Sequence, residues 1–265
     1  MMNRFDITSQ RATNMERVSR AIGAAADRTG VDFDYLMNQA RVESGFRADA
    51  KASTSSASGL FQFTQQTWLA TVKQHGGEHN YGWAADAISA DKYGRYSVPD
   101  AQLRGHILEL RNQPEAASAM AAEFAADNAD VLASVLGREP ESVDLYLAHF
   151  LGSGGATKFL KAWQADPSRP AAALFPEAAG ANKAIFYGRA GAPRTLNEIR
   201  ERFRGKMGGD FGRPSASFVT IANTQPRVQL APIQFRAIEP MPQRLSVEFA
   251  KSAYGRLAEL GGGSV

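Results

Sequence analysis

The chain reads as an all-α protein. Apolar residues recur every three or four positions from about Asn14 to Phe203. Alanine-rich stretches fill the middle of that span, and Gly and Pro mostly fall between stretches until about Gly205. A chain of 265 residues, 44% of them hydrophobic, is long enough for one domain with a sizeable core plus an appendage.

Met15, Val18, Ile22, Ala25 and Ala26 sit at helical spacing, and Gly30 stops that helix. Asp32 or Asp34 can cap the next one, which carries Leu36, Met37 and Ala40 on one side and runs to Ser44. Residues 47–58 are rich in serine and alanine with no periodic face, so they read as a loop feeding Gly59-Leu60-Phe61-Gln62-Phe63. Thr64 then offers a cap to a helix containing Trp68, Leu69 and Val72. Residues 75–81 read as a glycine-rich turn. Helices are expected around 84–93, from Pro99 to Leu110 and from Pro114 to Leu136, with Pro99 and Pro114 at first-turn positions. A further helix over 142–151 is stopped by Gly152-Ser153-Gly154-Gly155. Phe159, Leu160 and Trp163 belong to the next, and Leu174, Ile185 with Phe186, then Leu196, Ile199 and Phe203 mark shorter pieces. Trp68 and Trp163 both read as core.

The domain is expected over residues 1–207. Residues 208–265 form a tail punctuated by Gly and Pro, extended or partly disordered, with an amphipathic stretch at 247–260 carrying Phe249, Ala253, Leu257 and Leu260. That tail is a candidate surface for a protein partner.

With no cysteine, disulfides, thiolate metal sites and a cysteine nucleophile are excluded. A formal charge of +3 suits only a weak attraction to polyanions, and no basic cluster points to nucleic acid. Residues 1–20 contain no continuous apolar run, so neither a signal peptide nor a membrane span is expected. No cofactor or metal is expected either: His75 and His79 are spaced by four, but the glycines beside them argue against a rigid helical ligand pair and for a solvated loop.

Three segments carry candidate chemistry. Glu43 lies three and seven residues from Ala40 and Leu36, hence on the apolar side of its helix. A carboxyl group taken out of water favours its protonated form, the form that donates a proton to a glycosidic oxygen. Gly59 lets the backbone approach a ligand or adopt a conformation closed to other residues, and Gln62 could bond a carboxylate or a sugar amide. Tyr146 and His149 place two hydrogen-bonding rings near a helix end.

Together these segments resemble the lytic transglycosylases of the soluble (SLT, goose-lysozyme-like) family. Ala40-Arg41-Val42-Glu43-Ser44-Gly45-Phe46 looks like its catalytic Glu-Ser motif, and Ser58-Gly59-Leu60-Phe61-Gln62, with Thr67, looks like its Gly-Leu-Met-Gln element. Ala148-His149-Phe150-Leu151-Gly152 takes the place of an Ala-Tyr-Asn-Ala-Gly element, with His for Tyr and Phe for Asn, which marks a divergent subgroup. The likeness spans residues 31–203, including the segment 182–187, and implies a lysozyme-like fold.

It also implies a peptidoglycan substrate cleaved in the periplasm or cell wall, reached through a secretion apparatus, a phage particle, lysis or a trimmed leader. By the resemblance, Glu43 is the sole general acid and base. It would cut the MurNAc-β-1,4-GlcNAc bond and leave a 1,6-anhydro-MurNAc end. Ser58 and Gln62 are implied as substrate or carboxylate contacts. Tyr146 and His149 would orient Glu43 or line the groove, while Tyr81 and Tyr187 would border sugars. Asp49, Asp86, Asp91 and Asp127 are not expected to serve as a second carboxylate. Competing readings are a hydrolytic muramidase, a catalytically weak wall-binding or assembly protein of the same fold, and a chitin-directed glycosidase.

Overall fold

The computed structural model describes residues 4–53, 55–209 and 211, with side chains from residue 12 onward. It is an all-α, lysozyme-like fold with one small hairpin. Helix α1 (Arg4–Thr29) lies along α6 (Pro114–Leu136); α6 also packs on α7 (Ser142–Ala165), and α7 on α11 (Leu196–Lys206). Helix α2 (Phe33–Ser44) contacts both α1 and α6. The long alanine-rich helix is therefore the central post. Ala116, Ala117, Ala121, Ala122 and Ala125 are all buried on it, because small side chains let its neighbours come close.

Local chemistry sets the ends. Asp32 caps α2 by accepting from the Tyr35 N–H, and Gly45 ends it in the left-handed conformation. Thr64 caps α3 (Gln65–His75), and Pro114 occupies the first turn of α6. Trp68 is fully buried, and its indole N–H donates to the Ile107 carbonyl at 2.8 Å. As expected from Gly152, α7 breaks there: this residue has φ 75° and ψ 161°, so a Ser142 half and a following half meet at a kink.

Four expectations are corrected. The 84–93 helix stops at Ala87 in α4 (Gly82–Ala87), and Ser89–Ala90 pairs antiparallel with Tyr96–Ser97 around a left-handed Gly94. Asp91 holds that turn by accepting from the backbone N–H groups of Tyr93 and Arg95, a local competition that helical spacing does not register. Helix α5 (Ala101–Glu109) is capped by Asp100, so Pro99 lies before the cap and not in the first turn. Residues 76–79 form a 3-10 turn, and His79 is buried against Glu123 where a solvated loop was expected. Trp163 is half-buried, donating to Asn197 and lying over the Arg200 guanidinium, 4.3 Å from its ring centroid.

Arg200 belongs to a buried ionic group. It contacts Asp144 at 2.9 Å and Glu141 at 3.0 Å, and Arg138 reaches Asp144 at 2.8 Å. Asp144 and Arg200 are both essentially inaccessible, so these charges join α7 to α11 behind the apolar core. The 208–265 tail, with its 247–260 stretch, lies outside the described residues except for Gly208, Gly209 and Phe211.

Candidate active site

Glu43 is the penultimate residue of α2 and is 2% exposed. Two residues in left-handed backbone follow the helix, Gly45 at φ 59° and Phe46 at φ 64°. This abrupt end turns the chain away and leaves Glu43 on the inner face. His149, near the end of the first half of α7, brings Nε2 to 3.3 Å from Glu43 Oε1. The other ring nitrogen is 3.1 Å from Gln39 Nε2. With the Gln39 amide donating to Nδ1, the imidazole proton sits on Nε2, the nitrogen that lies beside Glu43.

Gln39 is one helical turn before Glu43, so α2 supplies both the carboxyl group and the residue that sets the tautomer of its neighbour. Tyr146 stacks on His149, with centroids 5.8 Å apart and planes 25° apart, and meets Phe203 edge-on. The two rings of α7 singled out from the sequence therefore do come together, one touching Glu43 and one backing it.

Two further groups feel the Glu43 charge. Burial, with Glu43 adding to it, pushes the Tyr35 phenol far above its usual range. Burial pushes the Lys206 ammonium down to about 8; Arg202 adds to the depression and Glu43 opposes it. Neither residue stands out in the sequence, and Lys206 is one of the basic residues in the last turn of α11.

Gln62 is 1% exposed with φ 50°, and its amide N–H groups donate to the carbonyls of Ala50 at 2.9 Å and Gly59 at 2.7 Å. Its donors thus hold the loop together, and its Oε1 is buried with no hydrogen-bond partner among the described residues. Gly59, at φ 84°, is where the chain runs against the backbone of Arg111. A Cβ there would lie 1.8 Å from the Arg111 carbonyl oxygen.

Arg111 fastens the same loop from the other side, donating to Ser56 at 2.7 Å and Phe63 at 3.0 Å. Ser58 donates to Asn112 at 2.8 Å and joins Lys51 and Phe63 through antiparallel bridges. It lines an open concavity with Lys51, Ser55, Glu109, Arg111 and Asn112, and Glu43 is not part of that lining.

Tyr81 and Tyr187 are half-buried. Burial, helped by the Glu115 charge, raises the Tyr81 phenol, whose backbone N–H bonds the Gly76 carbonyl at 2.7 Å. Tyr187 makes a bridge to Pro193 beside Phe186, which packs on Phe150.

The transglycosylase SLT domain family matches residues 20–94. The match covers the part of the chain from α1 to the hairpin turn and is a likeness over that part. That match contains Glu43-Ser44 and the Gly59 to Phe63 turn, while Tyr146 and His149 lie beyond it. The match is consistent with the all-α, lysozyme-like architecture and supports a lytic transglycosylase-type, peptidoglycan-cleaving function. No helix among the described residues is long and apolar enough to cross a membrane.

Proposed function

We propose that this protein is a peptidoglycan lytic transglycosylase in which Glu43 is the sole general acid and base. The observation that carries this reading is a nearly inaccessible carboxyl group, inside the SLT match, with the Nε2 of His149 at 3.3 Å.

Glu43 gives its proton to the bridging oxygen of the MurNAc-β-1,4-GlcNAc bond. The C1–O bond breaks, and the muramic N-acetyl group stabilises the cation that develops at C1. The Nε2–H of His149 then supports the carboxylate that remains. Glu43 next takes the proton of the same sugar's C6 hydroxyl, whose oxygen bonds to C1 and closes the 1,6-anhydro ring. Proton and bond counts return to their starting values, and no water is consumed. One carboxyl group suffices because both transfers occur on the same side of the bond, whereas hydrolysis ordinarily divides the work between two.

Ser58 and Gln62 contribute in this reading from the loop between α2 and α3. Tyr146 acts through His149. Tyr81 and Tyr187 border more distant sugar positions. The protein works where its polymer is, in the periplasm or wall.

The test is mass analysis of fragments released from purified sacculi. Anhydro-muramic ends are expected from the unaltered protein, and Glu43→Gln is expected to lower their release by about a thousandfold or more while pull-down on sacculi persists. Reducing muramic ends would instead mean hydrolysis. Undiminished digestion by Glu43→Gln would remove Glu43 from the chemistry altogether.

A further inference from the structure

Away from Glu43, the end of α3 and the middle of α6 enclose a cluster that the proposed glycan chemistry does not use. His75 closes α3, Glu78 sits in the 3-10 turn after it, and Glu123 and Asp127 lie one turn apart on α6. His75 Nε2 is 2.9 Å from Asp127 Oδ2, so that nitrogen carries the ring proton and donates it to the carboxylate.

The opposite nitrogen, Nδ1, is out of contact with solvent and has no hydrogen-bond partner among the described residues. It faces Glu123 Oε2 at 3.6 Å and Glu78 Oε1 at 3.8 Å. His79, itself buried, fixes the second oxygen of Glu123 through a 2.6 Å contact and so turns Oε2 toward His75. Arg28 donates to the Glu78 carbonyl at 2.6 Å, which holds the turn in place through its backbone and leaves the Glu78 carboxylate to the cluster.

Two carboxylate oxygens facing Nδ1 call for a positive charge between them, supplied either by the second ring proton of an imidazolium or by a cation that displaces that proton. We propose that His75 Nδ1, Glu78 and Glu123 bind a divalent zinc ion, with Asp127 and His79 as the residues that orient the ligands.

The three ligand atoms lie within 4.8 Å of one another. A tetrahedral zinc with ligands at about 2.0–2.1 Å separates them by about 3.3–3.5 Å, so the His75 contacts need to tighten by only a few tenths of an ångström. The donor set favours zinc over calcium or magnesium, which prefer oxygen shells of six or more. A carboxylate on the far nitrogen of a ligating imidazole is the arrangement that fixes its tautomer and strengthens it as a ligand. Three protein ligands leave one position open to water. The ion would clip the turn after α3 to α6, so its binding should register as stability independent of glycan cleavage.

The experiment uses the full chain, freed of metal by a chelator and titrated with zinc chloride at about pH 8 against a chromophoric indicator, with thermal unfolding followed in parallel. One zinc per chain and a rise in Tm are expected. Glu78→Gln, at an exposed position that does not endanger folding, should weaken zinc at least tenfold and leave the metal-free Tm unchanged. Asp127→Asn should weaken it about 10- to 100-fold. Glu43→Gln should bind zinc as the unaltered protein does, which separates this proposal from the fate of the catalytic one. Absence of zinc binding, equal affinity in Glu78→Gln, loss of zinc in Glu43→Gln, or binding of calcium or magnesium in place of zinc would each overturn it.

Discussion

At the scale of single residues, two side chains refine what Glu43 alone can do. Gln39 selects which nitrogen of His149 carries the proton, through the 3.1 Å contact to Nδ1. Replacing it by Leu keeps the volume roughly similar and removes the donor, freeing the ring to present a lone pair to Glu43. The expected outcome is a loss of about tenfold in kcat on glycan strands with KM nearly unchanged. A rise in KM with kcat preserved would make Gln39 a substrate contact.

Lys206 offers a second test, through pH. Its pKa lies near 8 in the folded protein, against an ordinary lysine value near 10.4 in the unfolded chain. Between those values the unfolded chain holds more protons than the folded one, so stability rises with pH across the window. The cost of burying the ammonium is full below about pH 8 and fades toward about pH 10.4. Lys206→Met is therefore expected to have the higher Tm at neutral pH and to lose that advantage by about pH 10.4. Paired melting curves across this range would check the sign, since other titrating groups cancel in the difference.

At the scale of elements, the loop between α2 and α3 is held by Leu60, Phe61 and Phe63 in the core and by a set of polar contacts to backbone. Gln62, Arg111 and the left-handed Gly59 each bind carbonyls or backbone rather than apolar surface. Gly59→Ala would add a Cβ 1.8 Å from a carbonyl oxygen in a backbone region hostile to side chains. A loss of about 2–4 kcal/mol in urea unfolding is expected, with cleavage reduced even where the protein stays folded. From the sequence, Gly59 and Gln62 stand out by type and order. Arg111, which anchors the same loop, does not: it comes from a segment about fifty residues later, and only packing makes them neighbours. The same reason explains Arg200 and Asp144, whose pairing joins helices with no pattern in common.

At the scale of the whole molecule, the chain beyond α11 returns to the helix that carries Glu43. Asn38 donates to the carbonyls of Met207 and Gly209 and accepts from the Gly209 N–H. Phe211 donates its N–H to Asp34 and packs edge-on against Phe46. The folded unit thus reaches past residue 207, the boundary that the composition shift at Gly208-Gly209 implies. A chain ending after 207 should melt several degrees lower than one ending after 211, because Asn38 loses its acceptor and its donor at Gly209 and Phe46 loses Phe211.

Helix positions, their caps and the placement of Glu43 on an apolar face follow from spacing and residue type, because those are properties of a few consecutive residues. Thr64, Asp32 and Pro114 act within one turn, and Gly152 breaks its helix wherever the rest of the chain goes. What spacing could not decide is which groups meet. His149 on Glu43, Gln39 on His149, Arg111 around Gly59 and His75 between two carboxylates all join residues from separate elements, or nitrogens whose roles depend on a distant partner. Those contacts are set by how α2, α3, α6 and α7 pack, since burial makes each polar group find a partner and only the tertiary arrangement determines which one is within reach.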